Sequence, residues 1–389
     1  MPTITLPLSD RTTISHETRE PRAFDAEGIP ITSRIAYAAA HIVTDPLAPI
    51  PDPIADPEID WDATLAFRRH LWSLGLGVAE AMDTAQRGQG LGWRAARELI
   101  ERSCREGRSL GGAIVCGAGT DQLDHAATPD LDQIVRAYTE QCDIIEAAGG
   151  VPIVMASRHL ARAAMSADDY VAVYRRLLEG RSGPVMLHWL GESFDPALAG
   201  YWGSSDPAVA AETMLAIVAD CPGVITGIKL SVLDAQFEVG LRLRLPPGTR
   251  MFTGDDFNFV ELIRGDGRGH SEALLGAFDP LAPAAAAALR ALDQGDTARY
   301  DELLGSCVPL ARKIFEAPTR YYKVGVVLMA HLNDHQSHFR MVGGLEAARS
   351  IVHLAEVFML ADQAGLLRDS ELAAARMKSI LEVNGVPQL

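Results

Sequence analysis

One lysine stands near the end of the run Val224-Ile225-Thr226-Gly227-Ile228-Lys229-Leu230-Ser231, an apolar, β-branched stretch that reads as a buried strand. An unpaired ammonium is costly to bury, so Lys229 must be neutralised, paired or opened into a pocket. At the carboxyl end of a barrel strand, partial desolvation lowers a lysine's pKa toward the range in which the neutral amine attacks a carbonyl. A strand-end lysine that simply reaches solvent is the alternative, and the neighbouring pattern decides between them. Similar apolar runs elsewhere also end in polar residues. His41 and Thr44 follow the first, and Glu80, Asp83, Thr84, Gln86 and Arg87 the second. Thr120 and Asp121 follow the third, Ser157, Arg158 and His159 the fourth, His188 and Glu192 the fifth, and Asp255 and Asp256 the seventh. Any one of these has a bland role as a cap or loop residue, whereas their recurrence at successive strand ends describes the rim of a pocket.

The elements that must position them form a cadence of short strands and amphipathic helices. Strands are expected at Arg34–Ile42, Leu76–Met82, Gly111–Cys116, Val151–Ala156, Pro184–Leu190, Val224–Ser231, Arg250–Gly254 and His270–Leu275. Between them, stretches such as Leu131–Ala148 repeat apolar residues at helical spacing. Alternating β and α segments predict parallel pairing, and eight units predict an α/β fold of the (β/α)8 TIM-barrel type. Helices are expected at Leu281–Leu292, Ala298–Phe315, Tyr321–Leu332, Leu345–Leu366 and Ser370–Val383. The chain is therefore divided into a short amino-terminal arm (1–33), a barrel (34–295) and a carboxy-terminal helical extension (296–389). Thr3–Leu8 reads as an edge strand of an arm outside the main core, and the proline-rich Asp45–Pro57 as a loop after the first barrel strand.

Composition excludes several classes of function. The 389 residues carry a net charge of −16 with no compensating basic cluster, which argues against nucleic-acid binding. Five scattered cysteines without a Cys-x-x-Cys pair indicate neither a disulfide framework nor a zinc knuckle and fit a reducing cytoplasm. The amino terminus lacks the apolar core of a signal peptide, and no later run is long enough to span a bilayer. No glycine-rich phosphate loop follows the early strands, so no nucleotide cofactor is implied.

Gly227-Ile228-Lys229, followed by Thr253-Gly254-Asp255-Asp256, resembles the motif pair of the dihydrodipicolinate synthase and N-acetylneuraminate lyase superfamily. Arg34-Ile35, Val43-Thr44-Asp45-Pro46, Ile59-Asp60 and Leu74-Gly75 are similar to that family's amino-terminal pattern, and the resemblance runs from Arg34 to Leu366, to an uncharacterised bacterial branch of the superfamily. It implies a class I aldolase or lyase in which Lys229 forms an imine with a keto acid or keto sugar. It also implies a homodimer or homotetramer. The family's strand-five tyrosine is replaced here by His188, an imidazole able to move the same proton.

The turn that holds a pyruvate carboxylate in the family reads Glu80-Ala81-Met82-Asp83-Thr84-Ala85-Gln86-Arg87-Gly88 here. Its two carboxylates repel an anionic substrate unless Arg87 or a metal compensates, which favours a neutral, polyhydroxylated keto sugar. The expected machinery is thus Lys229 as nucleophile and His188 as general acid/base. Substrate contacts are expected from Glu80, Asp83, Thr84, Arg87, His159, Glu192, Ser231 and Asp255. The polar interruption His331–Gly344 adds His335, His338 and Arg340 as further contacts, or is a capped helix junction. Two other readings stay open. One is a metal-dependent sugar isomerase, epimerase or lyase in which Glu80, Asp83, His188, Glu192 or Asp255 hold a divalent ion; the other is a non-catalytic sugar-binding protein.

Overall fold

Apolar runs bounded by glycine and polar turns become strands here, and the amphipathic segments between them become helices with recognisable ends. The computed structural model describes residues 1–24, 28, 30–49 and 57–388. Chain order begins with β1 (Thr3–Pro7), β2 (Thr13–Glu17), β3 (Ala36–Ala39) and α1 (Trp61–Ser73). Next come β4 (Gly77–Glu80), α2 (Trp93–Leu110), β5 (Ile114–Ala118), α3 (Leu131–Ala148), β6 (Val151–Val154), α4 (Arg158–Ala163) and α5 (Ala167–Leu178). These are followed by β7 (Val185–Leu190), α6 (Pro207–Asp220), β8 (Ile225–Ser231), α7 (Ala235–Arg242), β9 (Arg250–Thr253), α8 (Phe259–Arg264) and β10 (Glu272–Leu275). The chain ends with α9 (Ala282–Asp293), α10 (Thr297–Gly305), α11 (Val308–Ile314), α12 (Lys323–Leu332), α13 (Ile351–Gln363) and α14 (Ser370–Val383). No helix of the described residues is long and apolar enough to cross a membrane.

The chain divides into two compact units. One comprises Arg34–Ala40 and Gly77–Gly276 and contains all eight parallel strands of a closed barrel in the order β10-β3-β4-β5-β6-β7-β8-β9. The expected TIM-barrel fold and all eight strand positions are observed. Strand alternation sends Ala39, Ala79, Val115, Ile153, Met186, Phe252 and Leu274 into one interior cluster, packed with Tyr37. Glycines make room for the rings: a Cβ at Gly77 would stand 2.4 Å from Tyr37, and one at Gly227 would stand 2.7 Å from Phe252. Outside the strands, α3 starts at an Asp130–Gln133 capping box and ends on left-handed Gly149, so its length is set by local chemistry.

The other unit comprises Met1–Ser33, His41–Leu76 and Ala277–Leu389. In its amino-terminal segment β1 and β2 pair antiparallel, and Ile4 and Leu6 are fully buried where β1 packs on α13 and α14. His16 Nε2 meets Asp362 Oδ2 at 2.9 Å, and the Arg19 amide donates to Asp362 Oδ1 at 2.9 Å. The expected Ala298–Phe315 helix is two helices, broken where Cys307 caps α11 ahead of Pro309, which lacks the N–H needed to continue α10. The expected Leu345–Leu366 helix begins only at Ile351, because a 3₁₀ segment, Val342–Ala348, ends at Arg349 and Ser350, whose backbones are extended, and the Ser350 side chain caps the new start. Most of the proline-rich loop expected at Asp45–Pro57 lies outside the described residues.

Candidate active site

Lys229 and His188 face one another across the β7–β8 register, and the next inward pair of positions is Leu190 and Ser231. The same alternation that buries Met186 in the interior carries His188 inward two residues later. Gly227, whose missing side chain would meet Met186 and Phe252, fixes the parity of β8, so Lys229 and Ser231 also point inside. Gly254 completes the corner. A Cβ there would lie 2.2 Å from Ser231 Oγ and 3.0 Å from Lys229 Cε, so no larger residue fits beside these two groups.

The electrostatics of this corner follow from its burial. Lys229 is only 7% exposed, and burial pushes its pKa down to about 8, against the pull of the Asp256 and Asp83 carboxylates toward the ammonium. His188 is 1% exposed, and burial, together with the Lys229 charge, holds its pKa well below the usual imidazole range. It is therefore neutral near pH 7. Its Nε2 lies 3.2 Å from Ser231 Oγ, while Nδ1 is buried with no hydrogen-bond partner among the described residues. A neutral imidazole with a free nitrogen next to a low-pKa lysine can accept a proton that the amine releases.

Asp83 opens a single 3₁₀ turn, Asp83–Ala85, closed by Gln86 N–H donating to the Asp83 carbonyl at 2.9 Å. Thr84 is buried in the same turn. Arg87, expected to meet substrate, is instead spent on the protein. Its Nε and Nη2 hold both oxygens of Asp121 at 2.6 Å, Nη2 also donates to Gln141 Oε1 at 2.7 Å, and Nη1 donates to the carbonyls of Ala81 and Gly117 at 3.1 and 3.0 Å. All five N–H donors are used. Burial would raise the Asp121 carboxyl, but the Arg87 guanidinium holds it below the ordinary carboxylate range.

Other expected contacts are also placed elsewhere. Glu80 is in register with Cys116, on the strand face opposite Ala79 and the interior, and its Oε1 accepts the Ala81 N–H at 2.8 Å. His159 spends both ring nitrogens, on Thr120 Oγ1 at 2.9 Å and the Asp124 carbonyl at 3.0 Å, and so ties the β5–α3 loop to α4. Glu192 is exposed in the turn after β7. Asp255 caps its own turn, accepting the amides of Phe257 and Asn258 at 2.9 and 3.0 Å and Asn258 Nδ2 at 2.8 Å. The aspartate acting on Lys229 is its neighbour Asp256. Counting in twos from Phe252 through Gly254 reaches Asp256, so strand parity was the available signal. Asp121 and Gln141, which immobilise Arg87, had no such signal.

The residues of the His331–Gly344 stretch belong to the other unit and have partners within it. The His335 ring lies 5.0 Å from Phe67 and 4.6 Å from His70, and burial pushes its pKa down to about 2, with His70, His41 and Arg368 adding to the effect. It lines a cavity of about 580 Å³ with Phe67, His70, Asp279 and Arg368. His338 Nδ1 accepts the Arg340 amide at 3.1 Å, and the exposed Arg340 guanidinium pairs with Glu346 at 2.7 Å. His41, buried in this unit, donates through Nδ1–H to Asp279 Oδ2 at 2.8 Å. No group of three or more His, Cys, Asp or Glu side chains among the described residues is arranged to hold a metal ion.

Several solved structures share this architecture. A prophage protein of the dihydrodipicolinic acid synthase family from E. coli K12, determined in complex with pyruvate, is 14% identical, with 91% of this chain and 99% of that chain covered and a TM-score of 0.63. Dihydrodipicolinate synthases from Bacillus clausii (15% identity, 85% and 97% covered, TM-score 0.61) and Aquifex aeolicus (12% identity, 91% and 99% covered, TM-score 0.60) align comparably. At such identities the likeness is one of fold. No curated protein matches the chain. The sequence matches the family described as protein of unknown function DUF993 over residues 4–386, and the chain belongs to that family, built on a dihydrodipicolinate synthase-like barrel.

Proposed function

We propose that the protein is a class I aldolase or lyase that forms a Schiff base between Lys229 and a keto acid or keto sugar and makes or breaks the neighbouring C–C bond. The observation that carries this reading is Lys229 itself: a buried lysine inside the barrel with a pKa of about 8, beside a neutral His188. The neutral Nζ adds to the carbonyl carbon. His188 takes the proton released by nitrogen and returns it to the carbinolamine oxygen, and a second proton, drawn from solvent, lets that oxygen leave as water. The resulting protonated imine accepts the electron pair of the adjacent C–C bond, and His188, relayed through Ser231 Oγ, supplies or removes the remaining proton. Gly254 keeps open the space in which these groups meet. The lysine supplies the electron sink, so this chemistry calls for no organic cofactor.

Reduction with sodium borohydride in the presence of a panel of keto acids and keto sugars, followed by intact-mass measurement, tests the reading. A mass increment in the wild type that is absent in Lys229→Ala is expected. An increment that persists in Lys229→Ala, or no increment with any member of the panel, refutes it.

A further inference from the structure

The cavity of about 580 Å³ that His335 lines belongs wholly to the unit that does not contain Lys229, and no residue of the reaction described above lines it. Its size falls in the range of small-molecule sites. A deeply buried carboxylate forms part of its wall: the Asp279 side chain is 1% exposed. The His41 amide and His41 Nδ1–H both donate to Asp279 Oδ2, each at 2.8 Å, which fixes the carboxylate and leaves Oδ1 with no hydrogen bond among the described residues. A buried carboxylate oxygen without a donor is costly, so this one has room for a ligand's N–H. The rest of the wall is largely aromatic and apolar. Phe24, Phe67 and His335 contribute rings, of which Phe67 and His335 meet edge to face at 5.0 Å, and Met329 and Leu366 contribute aliphatic side chains. Two guanidinium groups lie at the exposed margin, on Arg22 and Arg368, whose side chains are 26% and 59% exposed. Arg22 Nη2 is tied to Glu302 at 2.6 Å. Arg368 Nη2 stands 3.6 Å from Asp334, beyond hydrogen-bond reach, and Asp334 is itself held by Arg376 at 2.5 Å. The Arg368 fork is thus open to an anion.

We propose that this cavity is a second ligand site, built for a flat aromatic carboxylate that carries an N–H donor at the end opposite its acid group. The N–H donates to Asp279 Oδ1 at the buried end, the ring lies among the aromatic and apolar side chains, and the carboxylate pairs with the Arg368 guanidinium at the margin. The order of the charges sets the direction of binding. A carboxylate at the buried end would meet Asp279, and a cation at the margin would meet Arg22 and Arg368. His41 already occupies Oδ2, so a single N–H completes the carboxylate. Binding is noncovalent and needs no imine at Lys229.

Isothermal titration calorimetry on the full-length protein at neutral pH separates the two polar contacts with three probes. 4-Aminocinnamate has both groups, cinnamate lacks the N–H, and 4-aminocinnamamide lacks the charge; none carries a ketone or aldehyde for Lys229 to trap. In the wild type, 4-aminocinnamate is expected to bind about tenfold or more tightly than either congener, because each congener forfeits a hydrogen bond to a charged group. Asp279→Asn removes the advantage over cinnamate, Arg368→Gln removes the advantage over the amide, and Lys229→Ala changes none of the three affinities. Circular dichroism establishes that each variant is folded. Arg368 is exposed, so Arg368→Gln and the wild-type ratios keep the test decisive even where Asp279→Asn fails to fold. No saturable binding of 4-aminocinnamate by the wild type overturns the site, and equal affinity for the three probes overturns the chemistry assigned to it. Preferences that persist in both folded variants, or that vanish in Lys229→Ala, place the ligand elsewhere and refute the assignment. A failure of borohydride trapping at Lys229 touches none of these outcomes.

Discussion

Replacing Asp256 by asparagine makes Lys229 a better nucleophile at neutral pH, although it removes a charge from the site. At a pKa of about 8, about one molecule in eleven carries the neutral amine at pH 7, against about one in three thousand at the ordinary value of 10.5. That difference corresponds to about 3 kcal/mol and arises from burial, partly offset by Asp256 and Asp83. A carboxylate favours the ammonium, so removing Asp256 lets desolvation act with less opposition and the pKa falls further. A nearby charge moves a pKa by about one unit or more, which places the Asp256→Asn value near or below about 7 and leaves about half of the amines neutral at pH 7. Reductive methylation with formaldehyde and cyanoborohydride, followed by peptide mass analysis between about pH 6.5 and 10.5, reads the midpoint directly. Lys313 serves as internal reference because its ion pairs with Glu316 and Glu356 hold its pKa above the ordinary value despite partial burial. The wild-type Lys229 profile rises with a midpoint near 8, and that of Asp256→Asn is displaced to lower pH. A wild-type midpoint near that of an ordinary lysine refutes the desolvation reading, and a shift to higher pH in the variant refutes the proximity of Asp256.

Three further outcomes are expected. Arg87→Ala costs about 3–5 kcal/mol of folding stability in urea denaturation, because it strands the Asp121 carboxylate, Gln141 and two carbonyls in a buried setting; an unchanged midpoint rules out the structural role. Gly254→Ala abolishes borohydride trapping on Lys229, since its methyl would sit 2.2 Å from Ser231 Oγ, and undiminished trapping in this variant removes the steric basis of the site. His188 and His335 both have folded pKa values below their unfolded value of 6.5. Below about pH 6.5 the unfolded chain takes up protons that the folded protein refuses, so stability present at neutral pH is lost as the pH falls, by about 1.4 kcal/mol per pH unit for each histidine. His335→Gln flattens the dependence of the urea midpoint between about pH 6.5 and 4, and a slope equal to that of the wild type contradicts its burial as a neutral ring.

The barrel was legible in the sequence because its signals are local. Apolar runs of strand length alternate with amphipathic helices, and each of the eight expected runs contains or overlaps an observed strand. Lys229 was legible for the same reason: a long cation in an apolar strand has few places to go. The helical boundaries that failed did so at Pro309 and at Arg349-Ser350, where the backbone leaves the helical region although periodicity alone would continue it. The burial of Ile4 and Leu6 was not legible, because α13 and α14 supply it from more than three hundred residues away along the chain.

Residue type could announce chemistry but not assign it. Glu80, Arg87, His159 and Asp255 have the polarity of a binding site, yet each is satisfied by the protein: Arg87 by Asp121 and Gln141, His159 by Thr120 and the Asp124 carbonyl, Asp255 by its own turn, and Glu80 on the outer strand face. Hydrogen-bonding capacity is consumed by whichever partner folding brings within about 3 Å, and such partners lie tens of residues away. The choice between Asp255 and Asp256 turned on one step of strand parity. By itself the sequence determined a parallel barrel and a lysine placed inside it, because strand period and the cost of burying charge act within a few residues. Only the tertiary structure decided which neighbours reach that lysine, because closure of the barrel sets the register that brings His188, Ser231, Gly254 and Asp256 to one corner.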